Sequence, residues 1–254
     1  MEKKDLLIIM PAHNEEKNLP GLLHQMELEG ISRMADVLII NDASEDATAR
    51  IITERGYKIV SNVFCLGYGG AIQVGYKYAV QQGYQYVVQM DSDGQHDPCN
   101  IAVLYQRLLC QDGAGRQPDI VLGSRYLEGS RSFPLSAAKR MAHWMFRALI
   151  RLMTGQTITD PTTGLQGLSR RAFSCYAQYN NFDVKYPDAN MLMQMLLLNF
   201  RVVEVPAIMH LRKAGTSIHS GLKPLWYMPR MIFSTLAIVF RIKGLKIGDR
   251  NRQA

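Results

Sequence analysis

Tyr86-Val87-Val88-Gln89-Met90-Asp91-Ser92-Asp93-Gly94-Gln95 is the stretch that decides how this chain is read. Its first five residues form an apolar run with β-branched and aromatic side chains, which reads as a buried strand. Two carboxylates separated by one residue then stand on the turn that leaves the strand. In an open α/β sheet, ligands bind outside the carboxyl ends of the strands. Carboxylate and amide oxygens are hard donors suited to Mg²⁺ or Mn²⁺. A divalent cation held there can bridge a diphosphate and neutralise its charge as it leaves. The bland alternative is a solvated Asp-Gly turn, and Asp-x-Asp alone does not choose between the two.

On either side of this stretch, strand-like and helix-like segments alternate. Strands are expected over 6–10, 37–40, 57–60 and 119–123, and helices over 15–29 and 70–82. Ser44 is expected to cap a further helix, with Glu45 and Asp46 in its first turn. This βαβα order predicts a mostly parallel sheet with helices on both faces. The second half is less regular. A basic amphipathic helix is expected over 136–153, a loop at Asp160-Pro161-Thr162-Thr163-Gly164, a helix over 186–198 and a strand over 201–205 ended by Pro206.

At 254 residues the chain is one large domain, or one domain with a small appendage. Its four cysteines are scattered without a C-x-x-C pair, and no signal peptide opens the chain, so a reduced, cytosolic protein is expected. The net charge of +7 is concentrated at one end. From Arg212 onward nine Lys and Arg accompany a single acid, Asp249, which leaves the rest close to neutral. Such asymmetry points to an anionic partner. Within it, residues 231–240 form an apolar run flanked by basic residues and too short to span a bilayer, which needs about 20 apolar residues. A helix lying in the membrane interface is favoured over a buried core helix, because charge excess and apolar run coincide.

Other strand ends carry chemistry. Pro11 removes a donor and is expected to end the first strand, after which Asn14 can cap a helix that begins at Glu15. Asp42 follows the second strand, where an acid can accept from ribose hydroxyls. Gly67-Tyr68-Gly69-Gly70 precedes a helix, where backbone N–H groups can approach phosphate. Each has a structural alternative in capping or a tight turn. Together they make a nucleoside-diphosphate and metal site the better reading.

At this point the chain resembles the family-2 glycosyltransferases of the GT-A fold, in the branch of dolichyl-phosphate mannose synthases and bacterial polyprenyl-phosphate glycosyltransferases. The matching motifs are Pro-Ala-His-Asn-Glu-Glu-Lys-Asn-Leu (11–19), Asn-Asp-Ala-Ser-Glu-Asp-Ala-Thr (41–48), Gly-Tyr-Gly-Gly-Ala (67–71), Asp-Ser-Asp-Gly-Gln-His-Asp-Pro (91–98), Gly-Ser-Arg-Tyr (123–126), Asp-Pro-Thr-Thr-Gly (160–164), Glu-Val-Pro (204–206) and Arg-Lys-Ala-Gly-Thr-Ser (212–217). They run through about four-fifths of the chain. The resemblance implies a GT-A catalytic domain over 1–220 and a basic, membrane-proximal segment over 221–254. It implies Asp91, Asp93 and Gln95 as metal ligands, and Pro11, Asn14, Glu15, Asp42, Gly69, Ser92 and Arg212 around a UDP- or GDP-linked sugar. It implies Ser124, Arg125 and Lys139 or Arg140 at an acceptor phosphate, and Asp160 in a loop that closes on the site. His143 stands where relatives often have a serine, and Cys65 where they often have an asparagine.

The activity so implied is inverting transfer of a sugar to a polyprenyl phosphate, by a peripheral enzyme on the inner face of the cell membrane. Two alternatives stand beside it. One is transfer to a saccharide hydroxyl with Asp160 or Asp188 as base. The other is a nucleotide-sugar-binding protein without turnover, against which the intact Asp91, Asp93, Gln95 and Arg212 argue. Nucleic-acid binding ranks low, since no aromatic-interleaved basic platform is present.

Overall fold

A computed structural model describes residues 4–133, 137–185, 187–212, 231 and 233–244, with backbone alone for 137–139, 243 and 244. Seven strands form one sheet: β1 Leu6–Ala12, β2 Ala35–Asn41, β3 Lys58–Ser61, β4 Tyr86–Gln89, β5 Ile120–Ser124, β6 Gln166–Ser169 and β7 Val202–Pro206. Their order is β3-β2-β1-β4-β6-β5-β7. All neighbours are parallel except β6, which runs antiparallel between β4 and β5.

Both faces are covered, as the parallel arrangement requires. Every residue of β1 is buried. Leu6, Ile8 and Met10 face one core, with α1 Leu19–Leu28, α2 Thr48–Glu54 and α4 Cys99–Leu109 on that side of the sheet. Leu7 and Ile9 face the other, against α3 Gly67–Gln82, α6 Arg170–Ala177 and α7 Ala189–Leu197. This alternation is the period-two pattern of a strand placed between two helical layers. α5 Ala137–Thr154 and a C-terminal helix over the described residues 231 and 233–239 lie outside α7, the latter continuing into a π-turn Phe240–Gly244. The three elements meet where Phe146, Ala189 and Met231 cluster.

Several local expectations are corrected. Pro11 does not end β1. Its carbonyl accepts from Ser92 Oγ at 2.7 Å, on the β4 side and beyond Ile9, where β4 pairing stops, so its missing N–H leaves no rung unfilled. Neither Asn14 nor Ser44 caps a helix; α1 starts after Asn18 and α2 after Ala47. The two side chains instead lace the loops together: Ser44 Oγ accepts from Asn14 N, and Asn14 Oδ1 accepts from Glu45 N. The glycines 67–70 lie within the first turn of α3 and not before it. Pro206 is the last residue of β7, whose exposed end tolerates it. Strand β6 and helices α4 and α6 are additions to the sequence-based layout. Four residues long and holding two partly buried polar ends, β6 has too weak a pattern to be read in advance.

Candidate functional site

β1, β2 and β3 extend one way from the centre of the sheet and β4 the other, so the topological switch lies between β1 and β4. The loops after both strands therefore flank one crevice. Because β6 is antiparallel, the loop 159–165 that feeds it enters at this same edge. Gly94 turns the chain back at φ 77°, a left-handed angle that glycine adopts without strain.

Asp91 and Asp93 stand at the crevice with side chains 29% and 12% exposed. Tyr68, from the first turn of α3, donates to Asp91 Oδ1 at 2.8 Å. Asp91 N–H donates to His96 Nδ1 at 3.1 Å, which leaves the proton of a neutral ring on Nε2, 3.9 Å from Asp91 Oδ2. Burial, and next the Asp91 carboxylate beside it, push the Asp93 carboxyl above its ordinary value. Burial and the Asp91 charge likewise raise the Tyr68 phenol well above its ordinary value, so it stays a donor. The Gln95 side chain is partly exposed and has no hydrogen bond among the described residues.

Arg212 reaches this pair from 120 residues away in sequence. The segment after β7 runs beside the loop 95–97: His210 N donates to Gln95 O, and Asn100 clamps both the N–H and the carbonyl of Ile208. Arg212 Nη2 then bonds Glu15 Oε1 at 2.7 Å, and its Nε lies 3.8 Å from Asp93 Oδ2. Glu15 is itself held by Thr48, whose Oγ1 accepts from Glu15 N at 2.8 Å.

Among the described residues, no cluster of three or more His, Cys, Asp or Glu side chains stands ready for a metal ion. The residues nonetheless fit a divalent cation. Two adjacent carboxylates repel, one is desolvated, and an amide oxygen is unengaged beside them. Mg²⁺-type sites usually take one or two carboxylates and complete their shell with water and substrate phosphate.

Some expected ligands are engaged elsewhere. Asp42 is buried, and its carboxylate accepts from Asn62 Nδ2, Leu66 N, Gly67 N and Cys65 Sγ, so it organises the loop before α3. Gly69 serves close packing: a Cβ there would stand 2.4 Å from the Val184 carbonyl oxygen. Ser92 is buried in its bond to Pro11.

The residues expected at the acceptor belong to a second buried network. Asp160 is fully buried and takes two short bonds from Arg125, Nε to Oδ2 and Nη2 to Oδ1, both 2.7 Å, with Arg125 N–H a third at 3.0 Å. Arg125 Nη2 also donates to Thr162 Oγ1. From β7, Glu204 accepts from Thr159 N, Thr159 Oγ1 and Asp160 N. Ser124 is wholly buried against Thr159 and is not presented to a ligand. His143 on α5 bonds the Thr159 carbonyl through Nε2. Its Nδ1 has no hydrogen bond among the described residues and lies 4.0 Å from Asp160 Oδ1. Burial, before all else, lowers the His143 pKa and keeps it neutral. Of the expected cations, Arg140 is exposed on α5 and the Lys139 side chain lies outside the described residues.

The loop 159–164 joins both ends. Asp160 anchors it to Arg125, while Gln89 Nε2 bonds the Gly164 carbonyl and a Cβ on Gly164 would come 3.1 Å from Asp91 Oδ2. Sequence reasoning assigned no individual role to Tyr68, His96, Thr48 or Glu204, although each stands inside one of the matching motifs. All four act on a neighbour's carboxylate or backbone, and that partner is set by the fold rather than by spacing.

Comparison with known proteins identifies the family. The chain is 30% identical over 229 residues to the undecaprenyl-phosphate mannosyltransferase of Micrococcus luteus, covering 85% of this chain and 88% of that protein. It is 26% identical over 237 residues to the polyprenol monophosphomannose synthase of Mycolicibacterium smegmatis, covering 85% and 81%. In fold it resembles the glucosyl-3-phosphoglycerate synthase of Mycobacterium tuberculosis, solved with Mn²⁺ and uridine-diphosphate-glucose, at a TM-score of 0.66 and 18% identity, covering 92% of this chain and 78% of that one. Residues 7–177 match the family described as Glycosyl transferase family 2. With the GT-A sheet order and the paired carboxylates at its switch point, these matches establish that the chain belongs to the family-2 glycosyltransferases.

Proposed function

We propose that this enzyme moves a sugar from a UDP- or GDP-linked donor to the phosphate of a polyprenyl carrier at the inner surface of the cell membrane, with Mg²⁺ or Mn²⁺ bound by Asp91, Asp93 and Gln95. The observation that carries the reading is the position of α5. Its inner face holds the loop 159–164 beside the carboxylates, while its outer face exposes Met141, Trp144 and Leu152, with Trp144 70% exposed. An apolar helix face at the mouth of a polar site suits an acceptor with a charged head and a hydrocarbon tail. The C-terminal helix continues that surface with Phe233, Leu236 and Phe240 exposed, while Asn190 and Gln194 of α7 hold its inner face through Ser234 and Arg241. Arg140 and Arg151 flank the stripe on α5 and suit anionic headgroups. No helix among the described residues is long and apolar enough to cross a membrane.

A divalent cation bound there would supply electrostatic stabilisation of the leaving diphosphate. The chain's own residues do the rest. Arg212 leaves Glu15 and Asp93 to meet the diphosphate. Tyr68 and His96 hold Asp91 in place. A lipid phosphate is anionic at neutral pH and attacks without a strong base, so positioning dominates. The saccharide-hydroxyl alternative needs a free carboxylate. Asp160 is sealed in its pair with Arg125, which argues against it as that base, while Asp188 accepts from Ala189 N through Oδ1 at the start of α7.

The test is incubation of the purified protein with UDP- and GDP-sugars, Mg²⁺ or Mn²⁺, and undecaprenyl or dolichyl phosphate, following labelled sugar into the organic phase. Lipid-bound label that EDTA abolishes supports the reading. Undiminished transfer by both Asp91→Asn and Asp93→Asn contradicts the metal assignment.

A further inference from the structure

Arg147 lies one turn beyond His143 on α5 and is half-buried. Among the described residues it has neither a hydrogen bond nor an ion pair. Charges withdrawn from water are ordinarily paired. Arg125, Arg201 and Arg212, also partly buried, are each held by a carboxylate. A second donor set beside it is also incomplete. Arg125 gives Nε and Nη2 to Asp160 and Thr162, but its Nη1 has no partner among the described residues.

The Tyr126 ring links α5, which carries Arg147, to Arg125. Its centroid lies 4.4 Å from that of the His143 ring and 5.8 Å from Arg125 Cζ. Burial raises the Tyr126 phenol, and the charges of Arg125 and Arg147 both oppose that rise. Both arginines also act on His143. The Arg125–Asp160 pair is neutral as a unit and the Glu204 carboxylate is taken up by Thr159 and the Asp160 N–H, so no carboxylate bonds Arg147 among the described residues. A phosphate monoester carries between one and two negative charges at neutral pH.

We propose that Arg147 and the remaining Nη1 of Arg125 form the subsite for the acceptor's phosphate, with Tyr126 as its wall, a role that the exposed Arg140 does not fill. The inference rests on the lipid-phosphate reading above and names the residue that would recognise the phosphate. Arg140 lies on the same side of α5 seven residues earlier but is exposed, where a phosphate contact is screened by water and salt.

The experiment uses the full chain and farnesyl phosphate, a short acceptor whose delivery does not depend on a bilayer. Arg147→Ala is expected to raise the KM for farnesyl phosphate at least about tenfold, the scale of a lost hydrogen bond to a charged group. The KM for the nucleotide sugar should stay within about twofold, which also reports that the variant is folded. Arg147→Lys should recover part of the loss. An acceptor KM for Arg147→Ala within about twofold of the parent overturns the inference, as does a rise confined to Arg140→Ala. Loss of binding to phosphatidylglycerol vesicles with the farnesyl phosphate KM intact would assign Arg147 to bilayer headgroups and also overturn it. Failure of the unaltered protein to transfer sugar to any lipid phosphate is a separate result, which removes the reading beneath it.

Discussion

Replacing Arg125 by Met tests whether this arginine, besides its proposed part in acceptor binding, anchors the loop 159–164. The substitution removes two 2.7 Å charge-assisted bonds to Asp160 and leaves that carboxylate fully buried with only the Arg125 N–H bond. Hydrogen bonds to charged groups contribute about 1.5–3 kcal/mol each, so the two give about 3–6 kcal/mol. Breaking a buried pair from one side costs about 3–5 kcal/mol by direct comparison. At about 2–4 °C per kcal/mol for a chain of this size, the melting temperature should fall by about 6–20 °C. The double variant Arg125→Met with Asp160→Leu removes the stranded charge and should recover much of the loss, since buried pairs replaced by apolar groups are often neutral. Transfer should recover in neither. Thermal unfolding followed by circular dichroism, beside acceptor KM, separates the two roles. A melting temperature lowered by less than about 2 °C in Arg125→Met would refute the anchoring argument and leave Arg125 as a ligand alone.

Two further outcomes are expected. Gly164→Ala places a methyl group 3.1 Å from both Asp91 Oδ2 and Tyr68 Oη, so the loop must shift by a few tenths of an ångström; activation by Mg²⁺ or Mn²⁺ should require several-fold more metal, and an unchanged titration would show that the loop yields freely. His143, whose pKa burial holds below its ordinary value of 6.5, binds fewer protons folded than unfolded, so its contribution is fully present above about pH 6.5 and is lost as pH falls below it; urea unfolding of His143→Gln should show a shallower acid loss, by up to about 1.4 kcal/mol per pH unit, and identical slopes would exclude this residue as the cause.

Much of the donor side was legible in the sequence because it is local. Apolar runs ending in Asn, Asp and Asp-x-Asp are short-range signals, and a parallel sheet gathers its strand ends at one edge. The paired carboxylates Asp91 and Asp93, with Glu15 beside them, therefore meet as the order of elements implies. Capping was misread for the same local reason: Asn14 and Ser44 have cap-like positions in sequence, but their side chains bond each other's loops across 30 residues. That choice is tertiary.

By itself, then, the sequence determined the alternation of elements, the mostly parallel sheet, the carboxylate pair and the basic, apolar C-terminal run. Tertiary structure alone decided which polar groups remain available to a ligand. Asp42, Ser124 and Asp160 have the side chains a binding site needs, yet each is buried and saturated by partners from other elements, whereas Arg147, with no motif around it, is left half-buried and unpaired among the described residues. The physical reason is that a hydrogen bond or charge is satisfied in space, by whichever group packing brings within about 3 Å. Residue type and spacing carry no record of that partner.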